Sequence, residues 1–383
     1  MARGRFPVTL LYQALHHSKM AACNRAPRLD LLQGRDVRII DGTTLRLADT
    51  PRNQRRFPQP STQAKGCGFP AMKVLALFCL RSGAAPDAVT SRPSTHDTPL
   101  AQKLWPHLHK GDVLLGDRAF GDFVTMALLP LRGVDVVARL HQGRTPDFGK
   151  PHKLLAADDA IFLWKKPVQR PGWISEARWR QVPEQASIRV IRSRMERPGF
   201  RTQEVLVATT LLDPEKYPAA EIAEVYLRRW RIELSFRDIK TSMELEHLRA
   251  ESPEIAAKEL LAGLVAYNLV RVTMIEAACR HGAPLDRLSF KGTVDGLCGT
   301  TARGWRVPGP RRRCDACGAG CSTLWPRIWC PSARGDGSPG RSSDGPSRSP
   351  TSPNRGICTA KSPTETAGIP GNPKRPPHPM PLK

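Results

Sequence analysis

The chain has 383 residues, more than one ordinary core holds, and 40% of them are hydrophobic, enough to bury a sizeable interior. Fifty-nine Lys and Arg against thirty-five Asp and Glu leave a formal charge of +24, which favours a polyanionic partner. No run in the sequence reads as the roughly 18 to 20 apolar residues that span a bilayer, and Pro, Gln and His interrupt the basic N-terminus early, so a membrane protein is excluded and a cytoplasmic one expected.

In chain order, Val37-Arg-Ile-Ile-Asp-Gly-Thr-Thr-Leu-Arg-Leu reads as a strand. Lys73-Val-Leu-Ala-Leu-Phe-Cys-Leu is a second, apolar enough to be buried on both faces. Residues 98–108 read as a helix with Thr98 as its cap before Pro99. Asp112-Val-Leu-Leu-Gly-Asp-Arg-Ala-Phe is a third strand ending in a turn, followed by a helix over about 122–131 and a strand Val134-Asp-Val-Val-Ala-Arg-Leu. The stretch 141–210 lacks helical periodicity and reads as β-rich. Two helices follow, at about 218–242 and 252–281. From Gly296 onward the composition changes abruptly. Fifteen of the 36 prolines fall there, with fourteen Lys and Arg against four Asp and Glu, so that tail is expected to be disordered. An out-of-frame C-terminus would also produce this bias.

Two aspartates stand out. Asp41, in Ile39-Ile-Asp-Gly-Thr-Thr, and Asp117, in Gly-Asp-Arg-Ala-Phe, are each expected at the end of a buried strand, a costly place for charge unless something neutralises it. Each alone also fits a common turn signal. The third element is Tyr226-Leu-Arg-Arg-Trp-Arg-Ile-Glu-Leu-Ser-Phe-Arg-Asp-Ile-Lys240. On a continuous helix at about 100° per residue, Tyr226, Glu233 and Lys240 fall near one line, with Arg229 on the same stripe. A solvated, ion-paired face is the alternative, and Arg229–Glu233 is the only good pair on it.

The pattern Tyr226-x2-Arg229-x3-Glu233-x6-Lys240 resembles the Y-x2-R-x3-E-x6-K signature of bacterial insertion-sequence transposases of the DDE type, the cut-and-paste group. Asp41 and Asp117 look like that family's first two acids, and the resemblance covers about residues 36 to 290. It implies an α/β, ribonuclease-H-like mixed sheet flanked by helices, with a β-rich insertion before the final catalytic Glu. It implies a catalytic domain built from 36–140 and 216–295 around an insertion at 141–215; the segment 1–35 departs from the pattern, being shorter than the helical DNA-binding region expected of relatives, and the tail at 296–383 is set apart by its composition. It further implies that Asp41, Asp117 and Glu233 are catalytic and bind two Mg²⁺ or Mn²⁺ ions, and that Tyr226, Arg229 and Lys240 contact DNA. The implied partner is double-stranded DNA, transposon ends and target, acted on by a homodimer. A nuclease of the same fold and an inactive DNA-binding remnant are the competing readings. Trp164, Trp173 and Trp179 are candidates for stacking on a displaced base. The spacing Cys314-x2-Cys317-x3-Cys321-x8-Cys330 gives only a faint suggestion of zinc, unsupported by any histidine pair. Arg52, Arg55, Arg56 and Lys65 could follow a DNA backbone.

Overall fold

In this computed structural model the structure describes residues 6–302, apart from 65, 86 and 196–202. The proposed zinc cysteines, Lys65 and everything beyond 302 lie outside the described residues. Strand β1 (Val37–Leu47) is the organising element. It is flanked by β2 (Ala71–Cys79), antiparallel over nine residue pairs, and by β4 (Val113–Gly116), parallel over three. β3 (Asp87–Ser91) adds antiparallel to β2, and β5 (Asp135–Arg139) adds parallel to β4. The order 3-2-1-4-5, with only the second strand reversed against the first, is the ribonuclease-H-like arrangement. β3 was missed in the sequence because Asp87-Ala-Val-Thr-Ser is short and half polar, as suits an edge.

The β-rich stretch continues this sheet. β6 (Lys153–Ala156), β7 (Asp159–Lys165), β8 (Gln185–Met195) and β9 (Gln203–Thr209) run as an antiparallel meander, and β9 joins β5. Its interior includes a charged pair: Arg189, fully buried, donates to both carboxylate oxygens of Asp159 at 2.7 and 2.5 Å and also to the carbonyls of Leu211 and Tyr217. Four of its five N–H donors are thus matched, close to the condition under which a buried guanidinium is tolerated. A two-residue strand β10 (His247–Leu248) pairs with the far end of β1.

Helices cover both faces. On one, Ile39, Leu115 and Val137 of the sheet pack with Val225, Tyr226, Ile232 and Phe236 and with the long helix Pro253–His281. On the other, Ile40, Leu114, Val136 and Ala138 pack with Leu100, Phe123, Val124 and Leu128. The long helix has a full set of end signals: Ser252 accepts from the Ile255 amide, Pro253 occupies the first turn, and Gly282 ends it in the left-handed conformation (φ 61°). By length and composition it could cross a bilayer, contrary to the sequence reading. Its apolar window is 56% buried within the protein, which accounts for the hydrophobicity as core packing.

Several expectations are corrected. Asp41 is not at a strand end; it is the fifth of eleven residues of β1, because pairing with β2 carries the strand on to Leu47. Thr98 is not a cap. It lies inside the short helix Asp97–Ala101, after His96, and its hydroxyl donates to the Ala119 carbonyl at 3.1 Å. The helix expected over 218–242 is four joined pieces: the α-helix Ala219–Leu227, a 3₁₀ turn Arg228–Trp230, the α-helix Arg231–Arg237 and a π turn Asp238–Ser242. The expected disordered tail does not begin at 296, since a helix spans Phe290–Ala302 and Phe290 stacks on Tyr267 at 5.2 Å.

Candidate active site

The pairing of β1 with β4 runs from Val37 opposite Val113 to Ile39 opposite Leu115. Carried on by two residues beyond that pairing, the register sets Asp41 level with Asp117, whose charge reaches the Asp41 carboxyl. Likewise the Gly116–Ala138 pair, carried on by one, sets Asp117 level with Arg139, the last residue of β5. Side chains alternate faces along a strand, so Asp41, Asp117 and Arg139 share the face of Ile39, Leu115 and Val137. That is the face on which the 219–242 helical run packs. β4 stops at Gly116, so the two carboxylates sit side by side where the layer opens.

Each acid is held by local backbone. Asp41 accepts from the Gly42 amide at 2.7 Å. Asp117 accepts from the Ala119 amide at 2.8 Å and so caps the turn Arg118–Phe120. A Cβ on Gly116 would come within 2.8 to 2.9 Å of the Phe120 side chain, so the residue before Asp117 has no room for one. Burial pushes the Asp41 carboxyl up to about 6; the Gly42 amide and Arg229 oppose this, while the nearby carboxylates of Asp117 and Asp97 add to it. Burial is the largest cause of this rise.

Arg229 supplies the positive charge that reaches Asp41. Its Nη1 lies 3.3 Å from Asp41 Oδ2 and its Nη2 lies 3.4 Å from Glu233 Oε1. Glu233, whose side chain is 65% exposed, is thereby tied to the aspartate row through one guanidinium. Tyr226 is buried, and burial raises its hydroxyl above the ordinary value while Arg229 lowers it, so its ring is packing and only its hydroxyl meets the site. Lys240 is not on this stripe. A 3₁₀ turn has fewer and a π turn more residues per turn than an α-helix, so a spacing of seven no longer returns to one line. Lys240 instead lines a separate cavity of about 460 Å³ with Thr44, Arg46 and Glu246.

Sequence reasoning missed Arg139, whose position beside Asp117 depends on strand register. It also missed Asp97, which approaches beneath Gly42 and pairs with Lys73 at 3.0 Å. A cleft of about 440 Å³ beside Asp117 is lined by Arg118, Arg139, His141 and Arg144. Of the tryptophans, Trp164 is buried with the Arg144 guanidinium 3.8 Å above its ring, and Trp173 and Trp179 pack against the same core. These contacts are packing.

Among the described residues, no group of three or more His, Cys, Asp or Glu side chains is gathered closely enough to hold a metal ion. The chemistry of the donors nevertheless suits one. Asp41 and Asp117 offer hard oxygens, Asp41 is buried with Arg229 as its ion-pair partner, and Glu233 is exposed and tethered by Arg229.

The fold and the two aspartates together define a ribonuclease-H-like domain with an acidic centre between the middle of its first strand and the end of its fourth. Residues 32–269 match the family described as Transposase DDE domain, and the chain belongs to that family. It is 26% identical over 247 residues to the transposase InsG for insertion sequence element IS4 of Escherichia coli (strain K12), covering 64% of this chain and 53% of that one. It is 41% identical over 66 residues to the putative transposase InsL for insertion sequence element IS186A of the same organism, covering 17% and 18%. The chain thus spans about half the length of the first of these relatives. A piggyBac transposase in a synaptic complex with hairpin DNA, solved by cryo-EM, is 10% identical, with a TM-score of 0.39 over 68% of this chain and 51% of that one.

Proposed function

We propose that the protein is a DNA transposase whose Asp41, Asp117 and Glu233 hold divalent metal, Mg²⁺ or Mn²⁺, for cleavage and strand transfer at the ends of an insertion sequence. The observation that carries this reading is the level pair of aspartates on the sheet face that also receives the helix of Glu233, with Arg229 joining Asp41 to Glu233. When bound, two such ions supply activation of the attacking oxygen and stabilisation of the leaving oxygen in an in-line displacement.

The protein's own groups do the rest. Arg229, released from its carboxylates, can grip a phosphate in bidentate fashion. Tyr226 keeps that guanidinium in place from within the core. Arg139 adds a second guanidinium on the Asp117 side, and Lys240 a point charge further along β1. The Asp41 and Asp117 carboxylates, fixed by backbone amides, need little reorganisation to accept a cation.

The test is a cleavage assay on duplex DNA carrying the element's ends, with Mg²⁺ or Mn²⁺. Wild-type protein should nick and join; Glu233→Gln should do neither while binding DNA with unchanged affinity. Cleavage by Glu233→Gln removes the assignment. Nicking without joined products would make the protein a nuclease of this fold.

A further inference from the structure

We propose that the cleft between the 219–242 helical run, the long helix Pro253–His281 and the loop that follows it is a second track for a DNA backbone, separate from the aspartate row. The inference rests on the transposase reading only for the identity of the polyanion.

The cleft measures about 1290 Å³, above the roughly 300–1,000 Å³ usual for small-molecule sites. Seven arginines and lysines line it against two aspartates, and six of the seven are arginines. Four of the seven are met by carboxylates: Arg231 pairs with Asp286 of the loop at 3.0 Å, Arg81 with Asp36 at 2.7 Å, Arg228 with Glu224, and Lys291 with Asp295. Arg237, Arg271 and Arg287 form no salt bridge among the described residues, and Arg237 and Arg287 are exposed. The cations are also crowded: Arg231 is held below its ordinary value by burial and by Arg228 and Arg271 beside it. Gathering like charges costs stability in the free protein, a cost that a bound polyanion offsets.

The 3₁₀ turn Arg228–Trp230 connects this cleft to the candidate active site. Arg229 faces Asp41, whereas its neighbours Arg228 and Trp230 line the cleft. Trp230 is 41% exposed, an apolar surface at the rim of a cationic groove. Guanidinium groups and an open aromatic ring are what a sugar-phosphate backbone and its bases engage. An acidic polypeptide would be drawn by the charge alone.

The double variant Arg237→Glu, Arg287→Glu alters two exposed residues that touch neither acid nor Arg229. Its affinity for a labelled random-sequence duplex, measured by fluorescence anisotropy across a salt series, should fall on the order of tenfold. The slope of log K against log salt should shrink by about 2, the value for two lost phosphate contacts. Arg180→Glu, Lys153→Glu makes the same change of net charge on exposed sites of the distant meander and helix, and should leave the slope unchanged. An unchanged slope in the first variant, or equal losses in both, overturns the proposal. Displacement of DNA by poly-glutamate at equal charge concentration overturns the choice of occupant. Glu233→Gln should bind like wild type, so cleavage by that variant would sink the metal-site reading and leave this one standing.

Discussion

Arg229, on the turn between two helical segments, places one guanidinium nitrogen 3.3 Å from Asp41 in the middle of the central strand. The same guanidinium reaches Glu233 on its own helix. A single cation therefore holds a strand acid and a helix acid in register, and the first expectation concerns its removal.

Arg229→Ala deprives Asp41 of its nearest lowering charge, so the carboxyl should titrate above its present value of about 6. The acid limb of the cleavage pH–rate profile should move to higher pH. Arg229→Lys, a point charge that cannot span two carboxylates, should restore only part of the shift. Superimposable profiles for Arg229→Ala and wild type would contradict the arrangement.

Asp41 itself should weaken the fold at neutral pH. Its folded value, about 6, lies above the 3.8 of a free aspartate, so the native state holds a proton more tightly than the unfolded chain. Stability from this group is present below pH 4 and falls as pH rises through about 4 to 6, by on the order of 2–3 kcal/mol at pH 7. Asp41→Asn should accordingly raise Tm at pH 7 and have little effect at pH 4. Mg²⁺ or Mn²⁺ should raise the wild-type Tm by mass action and leave Asp41→Asn unmoved. Thermal melts at the two pH values, with and without metal, read both effects.

Gly116→Ala should disturb the second acid without touching it. The added methyl meets Phe120, whose turn is capped by Asp117, so that turn must shift. Overpacking of this kind costs about 1–3 kcal/mol. Denaturant melts should show that loss, and cleavage should fall further than the loss of folded protein explains.

Asp159→Asn leaves the fully buried Arg189 without its carboxylate, at a cost of about 3–5 kcal/mol. Asp159→Leu combined with Arg189→Met should be less destabilised than the single variant. A double variant that melts lower than the single would show that the pair contributes net stability.

The β1, β2, β4 and β5 strands and the long C-terminal helix were legible because their apolar runs are uninterrupted and their ends carry glycine, proline or capping residues. Both aspartates and the Arg229–Glu233 pair were legible from local chemistry. The remainder depended on information a linear pattern does not hold. Asp41 looked terminal because Gly42 follows it, but cross-strand pairing with Ala76 overrides the turn tendency. The displacement of Lys240 arises from 3₁₀ and π turns that the sequence from Leu227 to Ser242 does not advertise. Arg139 joins the site through the register of two parallel strand pairs, and Asp97 through the short helix Asp97–Ala101 placed beneath Gly42.

The meander's attachment has a consequence for how such a domain can change size. β9 is bonded to β5 over three residue pairs, the last setting Val207 opposite Arg139, so an added residue there would slide the guanidinium away from Asp117. β6, at the other extreme, has a partner on one side only. Length differences between relatives should therefore gather at the outer hairpin of β6 and β7, while the innermost rung stays fixed in length, like the hinge side of a door whose free edge alone can be recut.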